Sequence, residues 1–146
     1  MTTIKLTTTT TATPEQFVAA LTDFGPRRSE IWGLTDPRYH EVHHRGDHTA
    51  DVTEGSSGIW ERLAYDWSTP GVVRMRRTDS NTWGGDSGHV YTFSRTPEGR
   101  TRVDVVVVRD GKNLKGRIVG GILGAVGKAV VGRELAKTVR AIEARG

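Results

Sequence analysis

The sequence predicts an α+β fold in which a curved antiparallel sheet wraps around one long C-terminal helix. Three observations carry this. A series of short alternating runs with tight turns fills the middle of the chain, and a single long segment of helical spacing, Leu114 to Arg145, closes it. That segment also holds Gly116, Gly120, Gly121, Gly124, Gly127 and Gly132, although each glycine costs about 1 kcal/mol in a helix interior. A helix that tolerates them needs its backbone close to a neighbour, or space beside it. The expectation is a sheet gripping a helix around a cavity.

Taken in order, Ile4 and Leu6 alternate with polar residues and run into Thr7 to Thr11, a β-branched opening strand. Thr13-Pro14-Glu15-Gln16 reads as a helix start, with Thr13 as N-cap, Pro14 as first helical residue and Gln16 as the return arm of a capping box. Phe17, Leu21 and Phe24 then mark one face, and Gly25-Pro26 ends the helix. Arg27 to Trp32 reads as a second, short helix. Tyr39–Arg45 and Thr49–Gly55 flank a hairpin turn at Gly46-Asp47. Ile59–Ser68, Val72–Ser80, Gly88–Thr96 and Thr101–Arg109 complete an antiparallel meander, with Pro97-Glu98-Gly99 as one of its turns. Asn81 to Asp86 reads as a loop, and Gly84-Gly85-Asp86-Ser87-Gly88 as a mobile rim with Trp83 as a lid.

Composition narrows the function. The 146 residues read as one domain, 1–146, with 35% hydrophobic content and no cysteine. Disulfides, thiolate metal sites and a cysteine nucleophile are excluded. No run of eighteen apolar residues predicts a membrane span, and the first residues lack a signal-peptide layout, so the expected location is cytoplasmic. The net charge of +4 is uneven: residues 110–146 carry +5 and the rest −1. The plain reading is a solvated basic helix face. Basic runs interleaved with aromatic residues are missing, so nucleic acid is not an expected partner.

The element order, together with Thr53-Glu54-Gly55-Ser56-Ser57-Gly58-Ile59-Trp60-Glu61-Arg62 and Tyr65-Asp66-Trp67-Ser68, resembles the START-like (SRPBCC) superfamily. This group includes polyketide cyclase/dehydrase and lipid-transport proteins and Bet v 1-like allergens. The resemblance implies a helix-grip fold and a hydrophobic-ligand cavity. The superfamily has no universal catalytic motif, so no reaction follows from it.

Strand parity then nominates the cavity wall, since alternate residues share a face. Ile59, Glu61, Leu63, Tyr65 and Trp67 form one row. Val73, Met75 and Arg77 form a second, His89, Tyr91 and Phe93 a third, and Ala50, Val52 and Glu54 a fourth. The expected ligand-binding set is Ile59, Glu61, Leu63, Tyr65, Trp67, Met75, Arg77, His89, Tyr91 and Phe93, with Ile118 and Ile122 from the helix. A buried carboxylate needs a partner, and Arg77 is the candidate for Glu61 or Glu54. The plainer alternative puts these charges at the sheet ends, in water.

His40, His43, His44 and His48 do not complete a tetrahedral metal set, because His40 and His44 face one side of a strand and His43 the other. Gly84-Gly85-Asp86-Ser87-Gly88 lacks the lysine and helix context of a phosphate loop. No nucleophile elbow is present. No metal or cofactor is expected.

The terminal helix carries two apolar stripes that disagree. Val131, Leu135, Val139 and Ile142 form one face, which projects back onto Gly127, Gly124 and Gly120, whereas Ile118, Ile122 and Val126 cover another side. Either the segment bends near Gly124 to Gly132, which is the preferred reading, or it stays straight with its glycines against the sheet. The straight version exposes an apolar surface to a membrane, a partner or a second subunit.

The expected function is binding of a small hydrophobic or amphipathic, lipid- or polyketide-like ligand between sheet and helix, for transport, storage or sensing. One alternative is a metal-independent cyclase or dehydratase with Glu61 or His89 as acid/base. Another is an interaction module meeting a peripheral membrane or a homodimer partner through the basic helix.

Overall fold

A computed structural model of the chain describes residues 1–33 and 35–145. Strand β1 (Thr2–Thr10) is followed by helices α1 (Pro14–Leu21) and α2 (Arg28–Ile31). Strands β2 (Glu41–Arg45), β3 (Thr49–Ser56), β4 (Ile59–Asp66), β5 (Val72–Ser80), β6 (Gly88–Arg95) and β7 (Thr101–Arg109) come next, and helix α3 (Leu114–Arg145) ends the chain. The strands form a seven-stranded antiparallel sheet in the order β1-β7-β6-β5-β4-β3-β2. The first strand therefore lies beside the last, with Ile4 opposite Val107 and Leu6 opposite Val105.

Local chemistry explains the boundaries. The capping box at α1 is formed on both arms: Gln16 N–H donates to Thr13 Oγ1 (3.1 Å), and Thr13 N–H donates to Gln16 Oε1 (2.8 Å). Asn113 starts α3 by accepting the Gly116 N–H on Oδ1 (2.8 Å). The β3–β4 hairpin closes on Ser57 and Gly58, both with positive φ (53° and 80°), the backbone of a tight two-residue turn. Lys115 Nζ donates to the Gly58 carbonyl (3.0 Å), tying that turn to the start of α3.

Strand parity holds along β7, where Val103, Val105 and Val107 are buried and their neighbours are not. It holds less well at β2. The strand starts at Glu41, not Tyr39, and a bulge between Val42 and His44 breaks the alternation assumed for the histidines. His40 lies outside the strand, half-buried, with Nε2 2.9 Å from the Phe24 carbonyl. The core lies between sheet and helices: Phe17 and Leu21 of α1 meet Phe93, Val103 and Val105, joined by Leu135, Val139 and Ile142 of α3.

The expected bend would carry both apolar stripes of α3 to the sheet, and the structure does not place both there. The helix runs without interruption for 32 residues. Its first half turns Gly116, Gly120 and Gly127 inward, while Ile118 and Ile122 stay outside, 55% and 58% exposed. Packing against backbone-bare positions explains this. A Cβ on Gly116 would overlap the Thr82 carbonyl and lie 2.9 Å from the Gly111 Cα, and one on Gly127 would lie 2.8 Å from Ile4 Cδ1. Nothing lies within 4 Å of a Cβ on Gly121. Gly116→Ala should therefore destabilise the fold by about 2 kcal/mol through overpacking, whereas Gly121→Ala should stabilise it by about 0.5–1 kcal/mol through helix propensity. Urea unfolding of the two variants checks the opposite signs.

Candidate functional site

Two charged clusters sit on the inner face of the sheet. The first joins α2 to β3 and β4. Arg28, buried in a four-residue helix, places Nη2 2.7 Å from both Glu54 Oε1 and the Tyr65 hydroxyl. Its Nη1 donates to the Leu21 (3.0 Å) and Asp23 (2.8 Å) carbonyls, acceptors at the C-terminal end of α1. The guanidinium also packs on the Phe24 ring at 4.7 Å. The Tyr65 hydroxyl donates to Glu54 (2.9 Å). Burial works most strongly against the Arg28 charge, yet Tyr65 and Glu54 outweigh it and hold its pKa above the ordinary value. Burial, then the Glu54 charge, pushes the Tyr65 phenol well up. This cluster is a brace between α2 and the sheet, buried at Arg28 and Tyr65 and half-buried at Glu54.

The second cluster is open to solvent mainly at His89. Glu61 on β4 and His89 on β6 meet Arg109, the last residue of β7. Arg109 donates twice to Glu61, Nη1 to Oε2 at 2.6 Å and Nη2 to Oε1 at 3.0 Å, a bidentate pair. Its Nη2 also lies 2.7 Å from His89 Nε2. The guanidinium can only donate and Glu61 Oε1, 3.4 Å from the same nitrogen, can only accept, so Nε2 sits between a donor and an acceptor. Side-chain exposures are 13% for Glu61, 21% for His89 and 10% for Arg109. Burial alone would raise the Glu61 pKa, but the Arg109 charge, with the hydrogen-bond contacts to His89 and Arg109, holds the carboxyl well below the ordinary range. Trp83 covers the group, its ring 5.1 Å from the Arg109 guanidinium.

Several expectations need correction. Arg77 is not the carboxylates' partner: Glu61 pairs with Arg109 and Glu54 with Arg28. Arg77 donates from Nη2 to the Gly85 carbonyl (2.9 Å), and its Nε is buried without a partner among the described residues. Trp83 is no lid on a mobile rim; it is buried, bridged to Gly111 and seated against Gly120. Ile118 and Ile122 face away from the sheet, because the glycines occupy the inner side of the helix. Leu63, Tyr65, Met75, Tyr91 and Phe93 face inward but belong to the continuous buried core, with Phe17 packed near Phe93 (5.2 Å) and Phe24 against Tyr65 (5.0 Å). Ile59 and Trp67 are half-buried at opposite ends of the β4 row.

The inner face is thus graded. It is closed around Val52, Leu63, Tyr65 and Val73 and still reached by solvent at Ile59, Glu61, Arg77 and His89. Two surface depressions lie elsewhere, one along Gly124 to Ala129 on the outside of α3 (about 430 Å³) and one between α1 and the end of α3 (about 330 Å³).

Arg109 and Arg28 escaped the sequence reading for different reasons. Arg109 continues the inward row Val103, Val105, Val107, so parity extended by one step finds it. Arg28 carries no such signal, since a charge in a one-turn helix reads as solvated.

No family model matches the sequence, and no curated protein does. Solved structures do match. The protein TTHA0849 from Thermus thermophilus superposes with a TM-score of 0.72 at 14% identity, over 98% of this chain and 95% of that one. The Zhui aromatase/cyclase from a Streptomyces species gives 0.73 at 15% identity, over 98% and 92%. A START superfamily protein from Mycobacterium smegmatis gives 0.68 at 13% identity, over 98% and 95%. The chain has the START-like, helix-grip fold. At these identities the likeness establishes architecture and leaves the chemistry to the residues.

Replacing Glu61 by Gln leaves the Arg109 charge without its counter-ion and should cost about 3 kcal/mol at neutral pH. The sign with pH follows from the lowered pKa. The contribution of Glu61 is complete above its ordinary value near 4.5 and is lost as the pH falls from there toward the folded value. The stability gap between wild type and Glu61→Gln should therefore narrow in acid, measured by urea unfolding across that range.

Proposed function

We propose that the protein binds a small amphipathic molecule against the inner face of the sheet, at the end marked by Glu61, His89 and Arg109. The observation that carries this is the partial exposure of Glu61 and His89, beside the buried Arg109, on the inner face of the sheet. Fold stability alone does not call for such a group, because apolar residues of similar volume serve as well. His89 Nδ1 makes no hydrogen bond among the described residues, so this ring nitrogen is free to meet a polar atom of a ligand. Arg77 adds a positive charge with no carboxylate partner among them. The apolar body of the ligand would rest on Ile59 and the half-buried Trp32, with the polar head toward His89 and Arg77.

A fluorescent neutral hydrophobe, aminoanthracene, tests the reading, with a medium-chain fatty acid as competitor. Its emission should rise on adding protein, and the fatty acid should displace it. His89→Leu should weaken the fatty acid about tenfold, the value of one hydrogen bond to a charged group, while aminoanthracene binding persists. No emission change with a protein that unfolds cooperatively would overturn the reading.

A cyclase-type reaction is the second reading, favoured by the same free imidazole nitrogen. It assigns proton transfer to His89. Glu61, held ionised by Arg109, is poorly matched to an acid role. Turnover of a poly-β-ketone substrate abolished by His89→Ala, with aminoanthracene binding retained, would support it.

A further inference from the structure

The outer face of α3 is used by neither the core nor the proposed ligand site. Leu114, Ile118, Ile122, Val126 and Val130 are all exposed there, between 40% and 74%. They recur every four residues, so the stripe advances about 40° per step and runs about 24 Å along the helix. Gly121, Ala125 and Ala129 lie exposed beside it. Its charges are sorted. Between Leu114 and Arg133 the helix carries Lys115, Arg117, Lys128 and Arg133 and no carboxylate. Carboxylates begin at Glu134, which pairs with Lys137 (3.2 Å), and Arg145 further on pairs with Asp23 (3.1 Å). Among the described residues, none of these four cations has a carboxylate within ion-pair distance.

We infer that this face docks on an anionic lipid surface. An aliphatic ridge flanked only by cations matches the boundary between acyl chains and negatively charged headgroups. A second copy of the chain fits worse. A two-fold contact between these helices would bring the same unpaired cations of both subunits together and supply no opposite charge. The contact would be peripheral, since no helix among the described residues is long and apolar enough to cross a membrane. The inward glycines help by seating the helix low on the sheet while every large aliphatic side chain of its first half points outward or sideways.

Co-sedimentation with vesicles tests this, comparing pure phosphatidylcholine with an equal mixture of phosphatidylcholine and phosphatidylserine at low and high salt. Binding should be confined to the anionic vesicles and should fall with salt. Lys128→Glu and Arg133→Glu should each weaken it at least about fivefold, the value of one basic residue near such a surface. Ile122→Glu with Val126→Glu should abolish it. All four residues are solvent-exposed, so thermal unfolding should be unchanged and serves as the folding control. Absence of binding to anionic vesicles at low salt overturns the inference, as does equal binding to neutral ones. A concentration-dependent dimer in sedimentation velocity that the Ile122→Glu, Val126→Glu variant dissolves would assign the face to a second copy instead. Loss of aminoanthracene binding with vesicle binding intact would leave this inference standing and remove only the ligand site.

Discussion

A helix with no side chains on one face can lie closer to its neighbour than any other. The first half of α3 does so: Gly116 rests on the Gly111 and Thr82 backbone, Gly120 on Trp83, and Gly127 on Ile4. Much of the arrangement follows from that contact. It seats the helix on β1 and on the loop before β6, clamps Trp83 over Arg109, and sends Leu114, Ile118 and Ile122 outward. The second half changes to Leu135, Thr138, Val139 and Ile142, which fill the wider space against α1 and α2. One helix thus seals one end of the sheet by close approach and the other by bulk.

The polar interior divides along the same line. Where the helix is bulky, Arg28 and Tyr65 are buried and bond to Glu54, with backbone carbonyls taking the Arg28 Nη1 donors. Where it is lean, Glu61, His89 and Arg109 keep some contact with solvent. Both ion pairs bear the desolvation cost of burial. The first returns it by anchoring a one-turn helix that has no side-chain cap of its own. The second anchors nothing comparable, since Glu61, His89 and Arg109 already belong to one sheet.

The architecture was legible because period and punctuation agree. Val72–Ser80 and Thr101–Arg109 stand where alternation and turn residues put them, and the Thr13 capping box stands where its spacing puts it. The site was only half legible. Parity brought Glu61 and His89 to one face correctly, but the choice of partner depends on which strands are neighbours, and β7 lies beside β6 while Arg77 sits past a bulge in β5. Helix orientation was misread for an energetic reason. Hydrophobic periodicity assumes that large aliphatic residues seek the core, and here contact with backbone outcompeted them. Arg28 stayed hidden because its burial depends on the Leu21 and Asp23 carbonyls, a tertiary arrangement no local pattern reveals.

The position of β1 has a kinetic consequence. Among the described residues its only strand neighbour is β7, nearly a hundred residues away, so the strand cannot pair until the rest of the meander has emerged and closed. During synthesis it must wait as free chain, the condition in which aliphatic strands join the wrong partner. A run of threonines suits that interval. Their β-branching favours extended backbone, while their hydroxyls keep the waiting segment wetted, so the stretch from Thr7 to Thr11 can stay ready for pairing without adhering to other nascent chains.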